Sequence, residues 1–291
     1  MSENVMSLQP AAAGPGPRGL IGIVGETFRQ YGRNFVAVTS IAAIVTIPLV
    51  TAGILAFGPE FMTQIAGVSP EGGPVMSPGQ MWGLMAYVVL YMVGFLAMSG
   101  AIAEAVGQSL AGRNISMGRA YSASLRRLPF MLGASLFAGL AAGLPLSLAA
   151  LLASATGSIP GYALLVLSVV LAVYLVVRLM FALFAALFEQ KPTIEAVVRS
   201  WTLVSGAMPR TFGLLLVIGL VVGVIQLGLQ SLGALGPGLD ALLVSLVVAP
   251  LTVVGDLLIY LDLRARKEGH NMESLQAELD ALSGEGPGTQ P

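Results

Sequence analysis

The chain has no cysteine and a single histidine, His270. The absence of cysteine excludes disulfide bonds and thiolate metal sites. One histidine cannot supply the His pairs that many metal centres use, so we expect no metal site and no cofactor. Charged residues make up only 10% of the 291 residues, whereas soluble domains carry about a quarter. The net charge of −1 provides no basic field, and we expect no nucleic-acid partner.

Short catalytic motifs are also missing from credible locations. The sequence offers no HExxH pair, no Walker A loop, no GxGxxG turn and no GxSxG elbow in a suitable context. Hydrolysis inside a membrane requires a nucleophile with a base, or paired acids within spans. We therefore predict no catalytic residues and no enzymatic activity.

Hydrophobic residues, by contrast, make up 56% of the chain and are gathered in long runs. A helix that crosses a bilayer needs roughly 20 apolar residues. Six runs satisfy this requirement, at about 35–57, 81–104, 129–153, 161–188, 210–232 and 239–261. The sequence therefore predicts an all-α, polytopic membrane protein with six transmembrane helices.

The basic residues indicate the orientation of these spans. All of them except Arg178 lie before span 1, between spans 2 and 3, between spans 4 and 5, or after span 6. The positive-inside rule then places both termini in the cytoplasm. We interpret residues 1–18 as a disordered cytoplasmic tail, 19–264 as the membrane domain, and 265–291 as a cytoplasmic C-terminal helix and tail.

Two stretches of the chain align without a gap when it is shifted by eighty residues. The first stretch carries Arg119, Tyr121, Pro129, Gly133, Gly139 and Gly143, and these fall on Arg199, Trp201, Pro209, Gly213, Gly219 and Gly223. The segment before each proline is predicted to be an amphipathic helix at the inner interface. Its arginine and aromatic residue (Arg119 with Tyr121, Arg199 with Trp201) would anchor it among the headgroups.

The six glycines are predicted to let neighbouring helices approach closely. A weaker copy of the pattern begins at residue 19, where Phe28 occupies the aromatic position. We therefore interpret the domain as three units, at about 19–107, 115–189 and 192–264, each an interfacial helix followed by a membrane hairpin.

Two further motifs point to a family. Residues 195–201 read EAVVRSW before span 5, and residues 260–269 read YLDLRARKEG after span 6. The second motif contains Tyr260, Asp262, Arg264, Arg266, Glu268 and Gly269. In these features the chain resembles the membrane domain found with some bacterial glycerophosphoryl diester phosphodiesterases and in related stand-alone membrane proteins of unknown function. The resemblance implies a bacterial inner-membrane module that lacks the separate catalytic barrel.

Arg178 is the one basic residue predicted to lie within a span, about eleven residues from its inner end. An unpaired arginine there would cost about 2.5–3.5 kcal/mol or more. Glu104 and Asp256, on spans 2 and 6, lie toward the same side, so an ion pair with either acid is expected. The alternatives are an Arg178 side chain that extends alone to the headgroups, or a functional site for an anion or a proton.

Two functions remain open. The first is a non-enzymatic inner-membrane module that acts as a scaffold or interacts with lipids and helps to organise the envelope. Its expected partners are membrane lipids, with a protein partner or a homo-oligomer possible. The alternative is a small-molecule or ion transporter that uses Arg178, Asp256 and Glu104. Pro48 and Pro250, which interrupt spans 1 and 6, either kink these helices or help to form such a site.

Overall fold

A computed structural model of the chain describes residues 19–58, 78–231 and 239–283. Within these ranges the regular secondary structure is entirely helical, which confirms the all-α prediction. The helices are α1 Leu20–Arg33, α2 Phe35–Phe57, α3 Pro78–Leu110, α4 Met117–Thr156, α5 Ile159–Leu179, α6 Ala182–Leu187, α7 Thr193–Val204, α8 Met208–Ser231, α9 Leu239–Glu268 and α10 Met272–Ser283. The predicted N-terminal tail and the end of the C-terminal tail lie outside the described residues.

Six segments of this fold are long and apolar enough to cross a membrane. They are α2, α3, α4, α5 together with α6, α8 and α9, and their most apolar windows have mean hydropathies of 1.9 to 2.7. The six-span prediction is therefore confirmed, and the chain has the architecture of a multi-pass membrane protein. The ends of the spans that carry the basic residues are called inner ends below.

The helix α9 is the centre of the domain. It packs against α8, its partner in the third hairpin, and against α1, α2 and α3. Half of its most apolar window is buried, the largest share among the spans. The second hairpin, α4 with α5, packs along α3 but meets α8 only sparsely. The third hairpin thus joins closely with the first, and a seam separates it from the second.

The two aligned stretches differ where the interfacial helix meets the span. In the third unit the chain breaks at 205–207, and Pro209 lies in the first turn of α8. Gly206 permits this break because it adopts a positive φ of 78°. Arg126 occupies the aligned position in the second unit, and α4 runs through Pro129 as one helix of 40 residues. The separate interfacial helix predicted there is fused to its span, and the three-unit interpretation stays a prediction.

Most of the aligned glycines do not mark close helix contacts. A Cβ atom added at five of them would meet no described atom within 4 Å: Gly139, Gly143, Gly213, Gly219 and Gly223. Only Gly133 is closely covered, by the side chain of Thr193. Tight packing occurs instead on α3, where Gly94 faces Leu49 of α2. The packing role is corrected for those five positions, because no described helix lies over them.

Candidate functional site

Arg178 lies at the inner end of its helix rather than deep within it. The helix α5 ends at Leu179, and the short helix α6 follows after a turn at Met180 and Phe181. The sequence prediction placed Arg178 about eleven residues inside the span because it assumed one continuous helix to residue 188. The turn at Met180 and Phe181 ends the helix α5 earlier, and Arg178 therefore lies near the end of α5. Arg178 is consequently level with the interfacial helix α7.

The partners of Arg178 belong to the C-terminal end of α7. Its Nη1 atom donates to the Trp201 carbonyl oxygen at 3.1 Å and to the Ser205 hydroxyl at 2.6 Å. Its guanidinium carbon is 4.7 Å from the centre of the Trp201 ring. Lys267 of α9 donates to the carbonyl oxygens of Thr202 and Ser205. Two cations therefore satisfy the terminal carbonyls of α7, and their positive charges interact favourably with the negative end of the helix dipole.

The expected ion pair of Arg178 with Asp256 or Glu104 is not formed. Glu104 is fully buried and accepts hydrogen bonds at 2.6 and 2.7 Å from Gln108, one turn along α3. In the part of the chain that the structure describes, Asp256 forms neither a hydrogen bond nor an ion pair. Arg178 instead extends to a neighbouring interfacial helix, so the three residues do not constitute one cluster.

A network of charged groups joins four segments at the inner end of the fold. Glu189, which follows α6, lies near its centre. The Nε atom of Arg199 in α7 donates to both Glu189 carboxylate oxygens, at 2.9 and 2.7 Å. The buried Tyr260 of α9 donates its hydroxyl to Glu189 at 2.7 Å. We call the group formed by Glu189, Arg199, Tyr260, Arg264, Glu268 and Glu278 the inner network.

The inner network also fixes the C-terminal helix. Arg264 donates from both terminal nitrogens to the Glu278 carboxylate of α10, at 2.9 and 2.7 Å. Arg199 donates to Glu268 at 2.6 Å, and the bonds with Glu268 and Glu189 raise the pKa of its guanidinium although burial opposes them. The two sequence motifs thus meet in space, through Arg199 of the first and Tyr260, Arg264 and Glu268 of the second.

Two further charged residues of the second motif, Asp262 and Arg266, form ion pairs outside the inner network. Asp262 is buried and accepts from Arg210 at 2.8 Å and from Arg266 at 2.9 Å. Gly269 ends α9 with a positive φ of 67°, which glycine adopts without strain. Sequence reasoning missed Glu189 and Glu278, because a lone acid beside a span carries no periodic signal. Among the described residues no set of three or more His, Asp or Glu forms a metal site.

The predicted interfacial anchors have protein partners. Tyr121 donates its hydroxyl to the Ile41 carbonyl oxygen of α2 at 2.6 Å. Arg199 belongs to the inner network, and the Trp201 ring covers Arg178. Arg119 is half-buried in the first turn of α4. The lipid-anchor interpretation is therefore corrected for Tyr121 and Arg199, whose polar groups bind protein rather than headgroups.

An apolar cleft of about 500 Å³ lies in the seam between the second and third hairpins. One wall is a stripe of α5 that includes Val169, Val173 and Val176, and the facing wall of α8 includes Leu216 and Gly219. The stripe continues to Met180, so the cleft runs for about 15 Å along the helices at 1.5 Å per residue. Several wall residues are exposed on the outer surface of their spans, including Val173 at 42% and Leu216 at 50%. The cleft therefore opens toward the membrane.

Among the residues that the structure describes, Asp256 is the only charged one that lines this cleft. It lies on α9 one turn, or about 6 Å, from Tyr260 and the inner network. Thr252, one turn away on the same helix, also lines the cleft, but its hydroxyl donates to the Val248 carbonyl oxygen. Arg178 faces α7 on another side of α5 and does not line the cleft. The site thus combines one carboxylate with an elongated apolar surface.

Comparison with known proteins relates part of the chain to a family. Residues 152–261 match the family model described as the membrane domain of glycerophosphoryl diester phosphodiesterase. No curated protein and no solved structure matches the chain significantly. The matched region includes the EAVVRSW motif and ends within the second motif. Residues 152–261 are therefore similar to this membrane domain, and the resemblance that the two motifs indicated is confirmed over that region.

Proposed function

We propose that the chain is a non-enzymatic membrane module that binds a lipid from the surrounding bilayer in the cleft between α5 and α8. The cleft itself is the observation that carries the proposal. Its volume of about 500 Å³ is within the range of small-molecule sites. Its walls are almost wholly apolar and belong to membrane spans, so lipid chains are the molecules most available to fill it.

The arrangement of the polar groups supports a binding role rather than catalysis. Glu189 and Asp262 already accept hydrogen bonds from arginine and tyrosine partners. A general base must instead be free to reach the proton that it removes. The Thr252 hydroxyl, which lies nearest in sequence to Asp256 within the cleft, is bonded to a backbone carbonyl. These contacts favour an inner network that holds the helices around the cleft.

The same proposal includes the location of the protein. We propose that it lies in the bacterial inner membrane with both termini in the cytoplasm, because the basic residues are concentrated at one set of span ends. A scaffold that also binds a protein partner or a second copy is compatible with this location. The transporter alternative draws support from Asp256 alone, since Arg178 and Glu104 are bonded elsewhere.

The experiment compares two glycines that the eighty-residue alignment pairs. Gly219 lines the cleft and Gly139 does not, yet both have open space around the Cβ position. Both leucine variants should fold, because the added side chain has room at either site and leucine has a higher helix propensity than glycine. Each purified variant is washed in detergent, and the lipid that remains bound is measured by mass spectrometry.

We expect Gly219→Leu to lose the retained lipid and Gly139→Leu to keep it at the level of the unchanged protein. Both variants should remain monodisperse and equally helical, which excludes misfolding as the cause. Equal lipid retention by all three proteins would refute the proposed lipid site.

A further inference from the structure

We propose that the cleft selects a lipophilic cation: an amphiphile whose amine or ammonium group lies at Asp256 and whose apolar body extends between α5 and α8. This inference rests on the proposed function, since it requires that the cleft admits a molecule from the bilayer. It adds the charge and chemical class of the molecule that binds.

The composition of the cleft wall favours a cation. Fifteen of the described residues line it, and none of these fifteen is Lys, Arg or His. A negatively charged headgroup would meet only the like charge of Asp256 and no cation to balance it. A positive group would instead complement the carboxylate, and such pairs gain strength where water is scarce. Charge complementarity therefore distinguishes a cation from an anionic or neutral lipid.

Asp256 has no other partner in the part of the chain that the structure describes. Among the described residues no donor reaches its carboxylate, whereas the buried Glu104 accepts from Gln108 and the buried Asp262 accepts from two arginines. Acidic side chains within membrane spans are costly and usually pair with one another or with a ligand. Of these three acids, the one that lines the cleft is thus also the one whose carboxylate has no described donor.

The shape of the cleft suits an elongated amphiphile. The apolar stripe of α5 from Val169 to Met180 and the facing stripe of α8 lie along the helix axes, so the cleft is elongated. Asp256 contributes from a third helix, α9. An alkyl chain or a flat aromatic body can lie along the two stripes while its positive end reaches the carboxylate. The arrangement resembles other ligand sites, in which apolar walls supply contact area and a single polar group fixes orientation.

The test measures binding of a cation and of its uncharged counterpart. The full chain is placed in phosphatidylcholine nanodiscs. Radiolabelled dodecyltrimethylammonium is added below its micellar concentration, or radiolabelled dodecanol below its solubility in water. Equilibrium dialysis against protein-free nanodiscs isolates the amount that the protein binds. We expect saturable binding of the cation, at least about tenfold tighter than that of dodecanol.

Five variants separate the contributions. Asp256→Asn should weaken cation binding by about tenfold or more and leave dodecanol binding unchanged, and Asp256→Glu should retain the preference for the cation. Glu104→Gln, which changes a buried acid outside the cleft, should bind like the unchanged protein. Gly219→Leu should reduce the binding of both probes, and Gly139→Leu should reduce neither.

Equal binding of the two probes, or an unaltered cation affinity in Asp256→Asn, would overturn the inference. The proposed lipid site would survive that result if Gly219→Leu still loses its retained lipid. If neither probe binds and no lipid is retained, the proposed function fails together with the inference. The two failures are therefore distinguishable.

Discussion

Arg199 and Glu268 form an ion pair between the interfacial helix α7 and the inner end of α9, with Nη2 and Oε2 2.6 Å apart. These residues are 69 positions apart in the chain and belong to the two motifs that indicated the family. Their contact, together with Glu189, explains why both motifs contain charged residues at a membrane boundary. The charges serve to bind one helix to another.

We expect Arg199→Ala to destabilise the fold by about 2 kcal/mol or more, because it leaves Glu189 and Glu268 without their shared cation. The side chains of Arg199 and Glu189 are only 21% and 10% exposed, so water cannot fully replace the pair. Unfolding titrations with sodium dodecyl sulfate in mixed micelles measure the change. Arg126→Ala, at an exposed position with no described partner, is the control and should have little effect.

Tyr260→Phe should lower the free energy of unfolding by about 1–2 kcal/mol, since it removes one hydroxyl and leaves a Glu189 oxygen with one donor fewer. The ring itself remains packed against Phe184, so a cavity does not contribute. Tyr162→Phe, at an exposed site on α5, is the matched control. Equal stabilities of the two variants would show that the Tyr260 hydroxyl contributes nothing to the inner network.

Arg178 should couple energetically to Trp201 and not to Asp256. In a double-mutant cycle of Arg178→Ala with Trp201→Ala we expect a coupling of about 1 kcal/mol, because the guanidinium lies over the indole ring. The Trp201 carbonyl persists in the alanine variant, so the cycle reports the ring contact. The cycle of Arg178→Ala with Asp256→Asn should be additive. If Asp256→Asn instead recovered the stability lost in Arg178→Ala, the result would support the Arg178–Asp256 ion pair that the sequence suggested.

Stability should decrease as the pH falls below about 6.5, the ordinary pKa of histidine. Burial, and then the positive charge of Arg264, lower the pKa of His270, whose Nε2 atom has no partner among the described residues. The unfolded chain therefore binds more protons in this range, and protonation favours unfolding. Melting temperatures at pH 7.5 and 5.5 measure the effect. His270→Gln should show a smaller decrease, and an identical decrease would assign the effect to other groups.

Single cysteines can test the proposed orientation, because the natural chain has none. Ile159→Cys lies at the start of α5 and is 86% exposed, and Glu195→Cys lies on the exposed side of α7. An impermeant maleimide added to intact cells should label Ile159→Cys and leave Glu195→Cys unmodified until the membrane is opened. The reverse pattern would invert the proposed topology.

The sequence predicted the spans well and the contacts between them poorly. Each of the six spans appears as a long apolar run, since a helix must satisfy its own backbone in lipid and therefore leaves a local signature. The place where a helix ends is less evident. Gly206 breaks the chain before α8, whereas Arg126 at the aligned position allows α4 to continue. The turn after Leu179 moved Arg178 away from its predicted depth.

The sequence by itself determined that this protein lies in a membrane, how many spans it has and which residues form its two motifs. Those properties depend on composition and on local order along the chain. Only the tertiary structure decided that Arg199 and Tyr260 meet at Glu189, that Arg178 binds the end of α7, and that Asp256 places a carboxylate in an apolar cleft. Such contacts depend on which helix faces become neighbours, and packing between helices distant in the chain leaves no periodic trace in the sequence.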